Sequence, residues 1–128
     1  MILDASVLIG LLDSADAHHR RAVDDVERAD QAAQSLMTPA SACGETLVAF
    51  ARADRLSDAR EAIASMGITI APLTAAIAES AAELRAHHQR LRLPDAIVLA
   101  TAVAIGAELL TYDQRLRRIA NTRSGEAG

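Results

Sequence analysis

Lysine is absent from this chain: all 13 of its basic residues are arginine. That absence excludes several chemistries. A P-loop nucleotide site needs a lysine to reach the phosphates, and Schiff-base catalysis needs a lysine amine. Cysteine is almost absent too. Cys43 stands alone, so no internal disulfide can form, which fits a reducing cytosol. Aromatic residues make up 2% of the chain, so the core must be aliphatic and Ala-rich, with helices in close approach. No apolar run reaches the ~18 residues of a membrane span. No basic segment precedes the first apolar residues, which argues against a signal peptide. The expectation is a soluble, cytoplasmic chain with no membrane association.

What is present bounds the fold. A length of 128 residues with 51% hydrophobic content gives one domain with enough apolar side chain for a real core. The net charge of −4 argues against a surface that grips nucleic acid everywhere. The arginines nevertheless gather in two places, Arg85, Arg90 and Arg92 before Asp95, and Arg115, Arg117 and Arg118 after Asp113.

Strand and helix signals alternate along the chain. Ile2 to Asp4 reads as a strand and Ser6 to Leu12 as a short helix. His18 to Ala33 repeats apolar residues at helical spacing beside a charged face. Ser35 to Thr38 is a second strand closed by Pro39. Helices follow over Ser41 to Arg52 and Asp58 to Met66, the latter with Ser57 as its expected N-cap. Ile68 to Ile70 is a third strand, and Pro72 and Thr74 open an Ala-rich helix to about Gln89. Pro94 opens a further helix, apolar on every side from Ala96 to Ile105 except at Thr101, the pattern of a buried helix. Gly106 can end it in the left-handed conformation. Glu108 to Thr111 is a fourth strand, Gln114 to Ile119 a last short helix, and Asn121 to Gly128 is expected to be a frayed tail. Such alternation implies a parallel sheet with right-handed crossovers, a three-layer α/β/α sandwich.

Four acids, Asp4, Glu45, Asp95 and Asp113, stand out in this frame. Taken singly, each aspartate also reads as a helix cap. Glu45 lies mid-helix on the face of Ala42, Val48 and Ala49, where a carboxylate costs free energy unless something pairs with it; an arginine would serve. Taken together, one hard cation explains them all, because Mg²⁺ prefers oxygen ligands and needs only a few carboxylates. Such an ion suits phosphodiester cleavage. Acids so crowded repel one another, so at least one carboxyl is expected to titrate above its usual range in the metal-free protein.

Leu3-Asp4-Ala5-Ser6, Glu45 in the third helix, Leu93-Pro94-Asp95-Ala96-Ile97 and Leu110-Thr111-Tyr112-Asp113-Gln114-Arg115-Leu116 resemble the ordered motifs of PIN-domain ribonucleases. In size and motif order the chain is similar to the VapC toxins of bacterial VapBC toxin–antitoxin pairs, over Met1 to about Ile119. The resemblance implies a PIN-like domain over residues 1–120 and Mg²⁺- or Mn²⁺-dependent endonucleolytic cleavage of cellular RNA. It also implies a homodimer and inhibition by a cognate VapB-type antitoxin. It places Asp4, Glu45, Asp95 and Asp113 as the acidic quartet, with Ser6 and Thr111 as supporting hydroxyls. The metal would fall to Asp4, Asp95 and Asp113, and Glu45 would orient a water or a second ion. Unlike many members, the chain carries no β-forming run after its last helix.

Other readings stand beside this one. A PIN-fold module that binds RNA or protein without catalysis, or a nuclease acting on structured DNA, would share much of the pattern. Arg85, Arg90, Arg92 and Arg115 flank the acids and match phosphate oxygens as RNA-binding candidates, or form a solvated face. Tyr112 is either a core residue or a platform for a base. The pairs His18-His19 and His87-His88 suit zinc poorly, since neighbours on a helix diverge and no cysteine cluster accompanies them. Leu47, Val48, Phe50, Leu56, Ile63 and Met66 give the third and fourth helices apolar surface for a dimer or an antitoxin helix.

Overall fold

The computed structural model describes residues 1–127. Its elements are β1 (Ile2–Leu3), α1 (Ala5–Leu12), α2 (His19–Gln31), β2 (Leu36–Pro39), α3 (Ala40–Arg52), α4 (Leu56–Ser65), β3 (Ile68–Ala71), α5 (Ala75–His87), α6 (Leu93–Ile105), β4 (Leu109–Leu110) and α7 (Gln114–Ala127). Every strand pairing is parallel, and the strand order is β3-β2-β1-β4. β1 is thus central, with Ile2 opposite Met37 on one side and Leu109 on the other.

Successive side chains of a strand point to opposite faces, and β1 uses this to join two cores. Ile2 packs with Ile77, Leu84, Leu99 and Leu116 on the α5–α6 side. Leu3 packs with Val7, Leu8, Leu36 and Ile63 on the α1–α2 side. α3 contributes Ala42 to the first and Cys43 to the second. The result is the expected three-layer α/β/α sandwich.

Most element ends follow local chemistry. Thr74 Oγ1 accepts the Ile77 N–H at 3.2 Å, and Gly106 ends α6 at φ 72°, a conformation that costs an L side chain about 1–2 kcal/mol. Four expectations need correction. α4 starts at Leu56 with Arg55 at its N-cap, because the chain turns at Asp54 (φ 57°) and Arg55 Nε then reaches Asp58 Oδ2 at 3.4 Å; Ser57 lies inside the first turn. α6 is buried only from Ala96 to Ala102, where α5, β1 and β2 lie against it, whereas Val103 and Ile105 are exposed. α7 runs past Ile119 to Ala127, since no proline interrupts it and Thr122 Oγ1 bonds back to the Arg118 carbonyl at 2.9 Å; Gly128 lies outside the described residues. On α3 and α4, Ile63 is buried in the domain's own core, and Val48 and Leu56 are the exposed large apolar residues.

Candidate active site

In a sheet ordered β3-β2-β1-β4, chain winding reverses between β1 and β4. The crevice beyond the strand C-termini at such a point is where α/β folds keep their ligands. Asp4 follows β1 directly, and Thr111, Tyr112 and Asp113 follow β4.

Asp4 is 5% exposed, and a buried carboxylate must find donors. Its Oδ1 accepts the Ser6 hydroxyl at 2.6 Å and the Val7 N–H at 3.2 Å. Its Oδ2 accepts the Thr111 hydroxyl. Each hydroxyl is itself an acceptor. The Tyr112 N–H donates to Ser6 Oγ at 3.0 Å, and the Asp113 N–H donates to Thr111 Oγ1 at 3.0 Å. Two relays of N–H to hydroxyl to carboxylate therefore tie the end of β4 to the end of β1.

The other acids are held differently. Asp113 is exposed, and its Oδ1 caps α7 by accepting the N–H groups of Arg115 at 2.9 Å and Leu116 at 3.1 Å. Asp95 is half-buried in the first turn of α6 but is not its cap, since Arg92 holds the N-cap position. Burial pushes the Asp95 carboxyl above the usual carboxylate range; Asp113 adds to this, Arg92 opposes it, and Glu45 and Asp4 add further. The crowding expected of the acids is thus felt at Asp95. Glu45 is exposed, as are Val48 and Ala49. The burial cost expected for Glu45 does not arise, because α3 buries the face of Ala42, Cys43 and Thr46.

The donor set suits a hard divalent cation. All four acids offer carboxylate oxygens, and none of the described ion pairs, Arg21–Asp25, Arg28–Asp25 and Arg55–Asp58, neutralises any of them. Among the described residues no three His, Cys, Asp or Glu side chains stand close enough to ligate one ion together. Mg²⁺ asks for less, binding through one or two carboxylates while it keeps several waters. The residues fit an ion held in that way.

Arg90, Arg92 and Arg115 line one cleft of about 440 Å³ with Asp95 and Asp113. Gln114 and Arg118 complete its wall. Arg118 was legible in principle, because it stands three residues from Arg115 on one helix face. Arg85 lies in the last turn of α5, outside the cleft lining. Tyr112 is a core residue: 9% exposed, it lies 4.8 Å from the His18 ring and 4.5 Å below the Arg21 guanidinium. A ring so buried is not offered as a platform for a base. Burial, with help from the Asp25 hydrogen bond, pushes the Tyr112 phenol well above its ordinary range, so it stays a donor. Burial likewise raises the Cys43 thiol, which suits a packing residue and not a nucleophile. His19 Nδ1 bonds the Gly10 carbonyl at 2.7 Å and His87 Nδ1 the Glu83 carbonyl at 2.8 Å, local roles that need no zinc.

Comparison with known proteins agrees with this fold. No curated protein sequence matches significantly. Among solved structures, the fold is similar to that of Mycobacterium tuberculosis VapC20, described as a sarcin–ricin loop cleaving toxin. That match has TM-score 0.72 and 22% identity, over 92% of this chain and 93% of that one. A toxin–antitoxin complex from Klebsiella pneumoniae matches with TM-score 0.72 and 28% identity over 88% and 85%. VapBC2 from Rickettsia felis, bound to a DNA fragment from its promoter, matches with TM-score 0.73 and 13% identity over 92% and 91%. The family model of the PIN domain covers residues 1–122, and the chain belongs to the PIN domain family.

Proposed function

We propose that this chain is a metal-dependent endoribonuclease, the toxin of a type II toxin–antitoxin pair, that cuts cellular RNA and so inhibits translation. One observation carries the reading: Asp95 and Asp113 line a cleft walled by arginines at the sheet's switch point, where Asp4 is tied to the end of β4 through Thr111. Asp4, Asp95 and Asp113 would hold Mg²⁺ or Mn²⁺ directly or through its waters, and the ion when bound supplies Lewis-acid chemistry for phosphodiester hydrolysis. Ser6 and Thr111 fix the Asp4 carboxylate by donating to its two oxygens. Glu45, exposed on α3, is free to orient the attacking water. Arg90, Arg92 and Arg115 present planar donor forks to the phosphates on either side of the cut.

The cognate antitoxin is a VapB-type protein, and the toxin pairs with a second copy of itself through exposed apolar side chains such as Val48 and Leu56. No described helix is long and apolar enough to cross a membrane. The test is cleavage of total cellular RNA by the purified chain in Mg²⁺, Mn²⁺ or EDTA. Discrete cleavage ends are expected with either metal, and none with EDTA or with an Asp4→Asn/Asp95→Asn double variant. Near-wild-type cleavage by the folded double variant would overturn the mechanism.

A further inference from the structure

The segment that carries Asp113 is poorly supported by the sheet. β4 has only two residues, and its last bond toward β1, from the Asp4 N–H to the Leu110 carbonyl, is long at 3.3 Å. Beyond Leu110 the ladder stops, yet Thr111 must bond Asp4 and Asp113 must face the cleft it shares with Asp95. Other bonds take over. The Thr111 carbonyl accepts from Arg117 Nη2 at 2.7 Å, and the Tyr112 and Asp113 N–H groups are held as described.

The Tyr112 side chain is the one part of this segment that leaves the sheet edge for another layer. Its hydroxyl donates to Asp25 Oδ2 on α2 at 2.8 Å, across 87 residues of sequence. Asp25 is in turn held by Arg28, through Oδ1, and lies 3.9 Å from Arg21. Arg21 also covers the ring. A buried phenol whose acceptor is itself fixed by a charge makes a stiff strut. It runs from α2 to the backbone between the two side chains that serve the acids.

We propose that Tyr112 and Asp25 form a clamp that positions Thr111 against Asp4 and Asp113 in the cleft beside Asp95, making Tyr112 and Asp25 positioning residues for the acidic site. This rests on the nuclease reading above. Tyr112→Phe keeps the ring and its packing and removes only the strut's bond. Displacing a reacting constellation by about 1 Å can cost on the order of 100-fold in rate, so a looser segment is expected to lower kcat by roughly 10- to 100-fold. KM for RNA should change less than kcat, because neither Tyr112 nor Asp25 is among the residues that line the arginine cleft.

The experiment compares wild type, Tyr112→Phe, Asp25→Ala, Asp25→Asn and the Tyr112→Phe/Asp25→Ala double variant. Each is checked for its fold by circular dichroism, then measured for RNA cleavage and, separately, for Mn²⁺ affinity by calorimetry without RNA. Tyr112→Phe and Asp25→Ala should lose kcat alike and bind Mn²⁺ several-fold more weakly. The double variant should be no worse than either. Asp25→Asn, which still offers an oxygen to the phenol, should recover most of both. Wild-type kcat and Mn²⁺ affinity in folded Tyr112→Phe would overturn the clamp and leave the nuclease reading intact. A wild-type chain that binds Mn²⁺ but cuts no RNA would overturn the nuclease reading, and the calorimetry would still decide the clamp. A wild-type chain that binds no Mn²⁺ would overturn both.

Discussion

The two strand-end acids and the two helix-borne acids of the site are built on different terms. Asp4 and Asp113 hold structure together. The first accepts from Ser6, Thr111 and the Val7 N–H, and the second caps α7. Asp95 and Glu45 take no such part: Arg92, not Asp95, holds the N-cap position of α6, and Glu45 is exposed. The fold itself fixes one half of the quartet and gives the other half no such structural role. Asp95 carries the consequence. It is partly desolvated and surrounded by like charge, and Arg92 acts against the rise.

The largest effect that would break this comparison is on stability. Asp4→Ala strands two hydroxyls and a backbone N–H where the carboxylate was. Each buried unsatisfied group costs about 1–3 kcal/mol. A loss of roughly 3 kcal/mol, or on the order of 10 °C in Tm, is expected by thermal or urea unfolding. Asp113→Ala removes a cap and should cost about 1 kcal/mol. If both variants melted like wild type, the strand-end half would not be held as described.

Asp95→Asn sharpens the other side. Its folded pKa is raised, so its contribution to stability is fully present below the unfolded value near ~4. That contribution is lost as pH rises through the folded value. In EDTA the variant should therefore melt with wild type in mild acid and above it at neutral pH. A pH-independent difference between the two melting curves would deny the charge crowding. Glu45→Gln should give the smallest change, within about 0.5 kcal/mol as for ordinary surface substitutions, while still lowering RNA cleavage. A clear loss of stability there would mean that Glu45 is structural after all.

Much of this division was legible in sequence and part was not. Pro94, Gly106, Thr74 and the alternation of apolar runs act within a few residues, so the sheet, the helices and the placement of Asp4 and Asp113 at strand ends could be read directly. The resemblance to PIN-domain motifs marked Asp4, Glu45, Asp95 and Asp113 as the expected quartet. Which face of α3 turns inward depends on α1, α4 and α6 packing against it, and the Ala-rich sequence around Glu45 has no strong apolar stripe to decide it. For that reason Glu45 read as a costly mid-helix acid and proved exposed. Tyr112 was open for the same cause: its partner Asp25 lies 87 residues away, and nothing local to either residue marks the bond. The end of α7 was misread because polar residues resemble a tail until the helix hydrogen bonds are in place.

The central claim, that Asp95 shares a cation with Asp4 and Asp113, is tested most directly by melting wild type and Asp95→Asn at neutral pH in EDTA and in millimolar Mn²⁺. The account predicts that Mn²⁺ raises the wild-type Tm by mass action and raises that of Asp95→Asn much less, so that the variant's advantage in EDTA shrinks or reverses. Equal shifts in both proteins, or no shift in wild type, would contradict it.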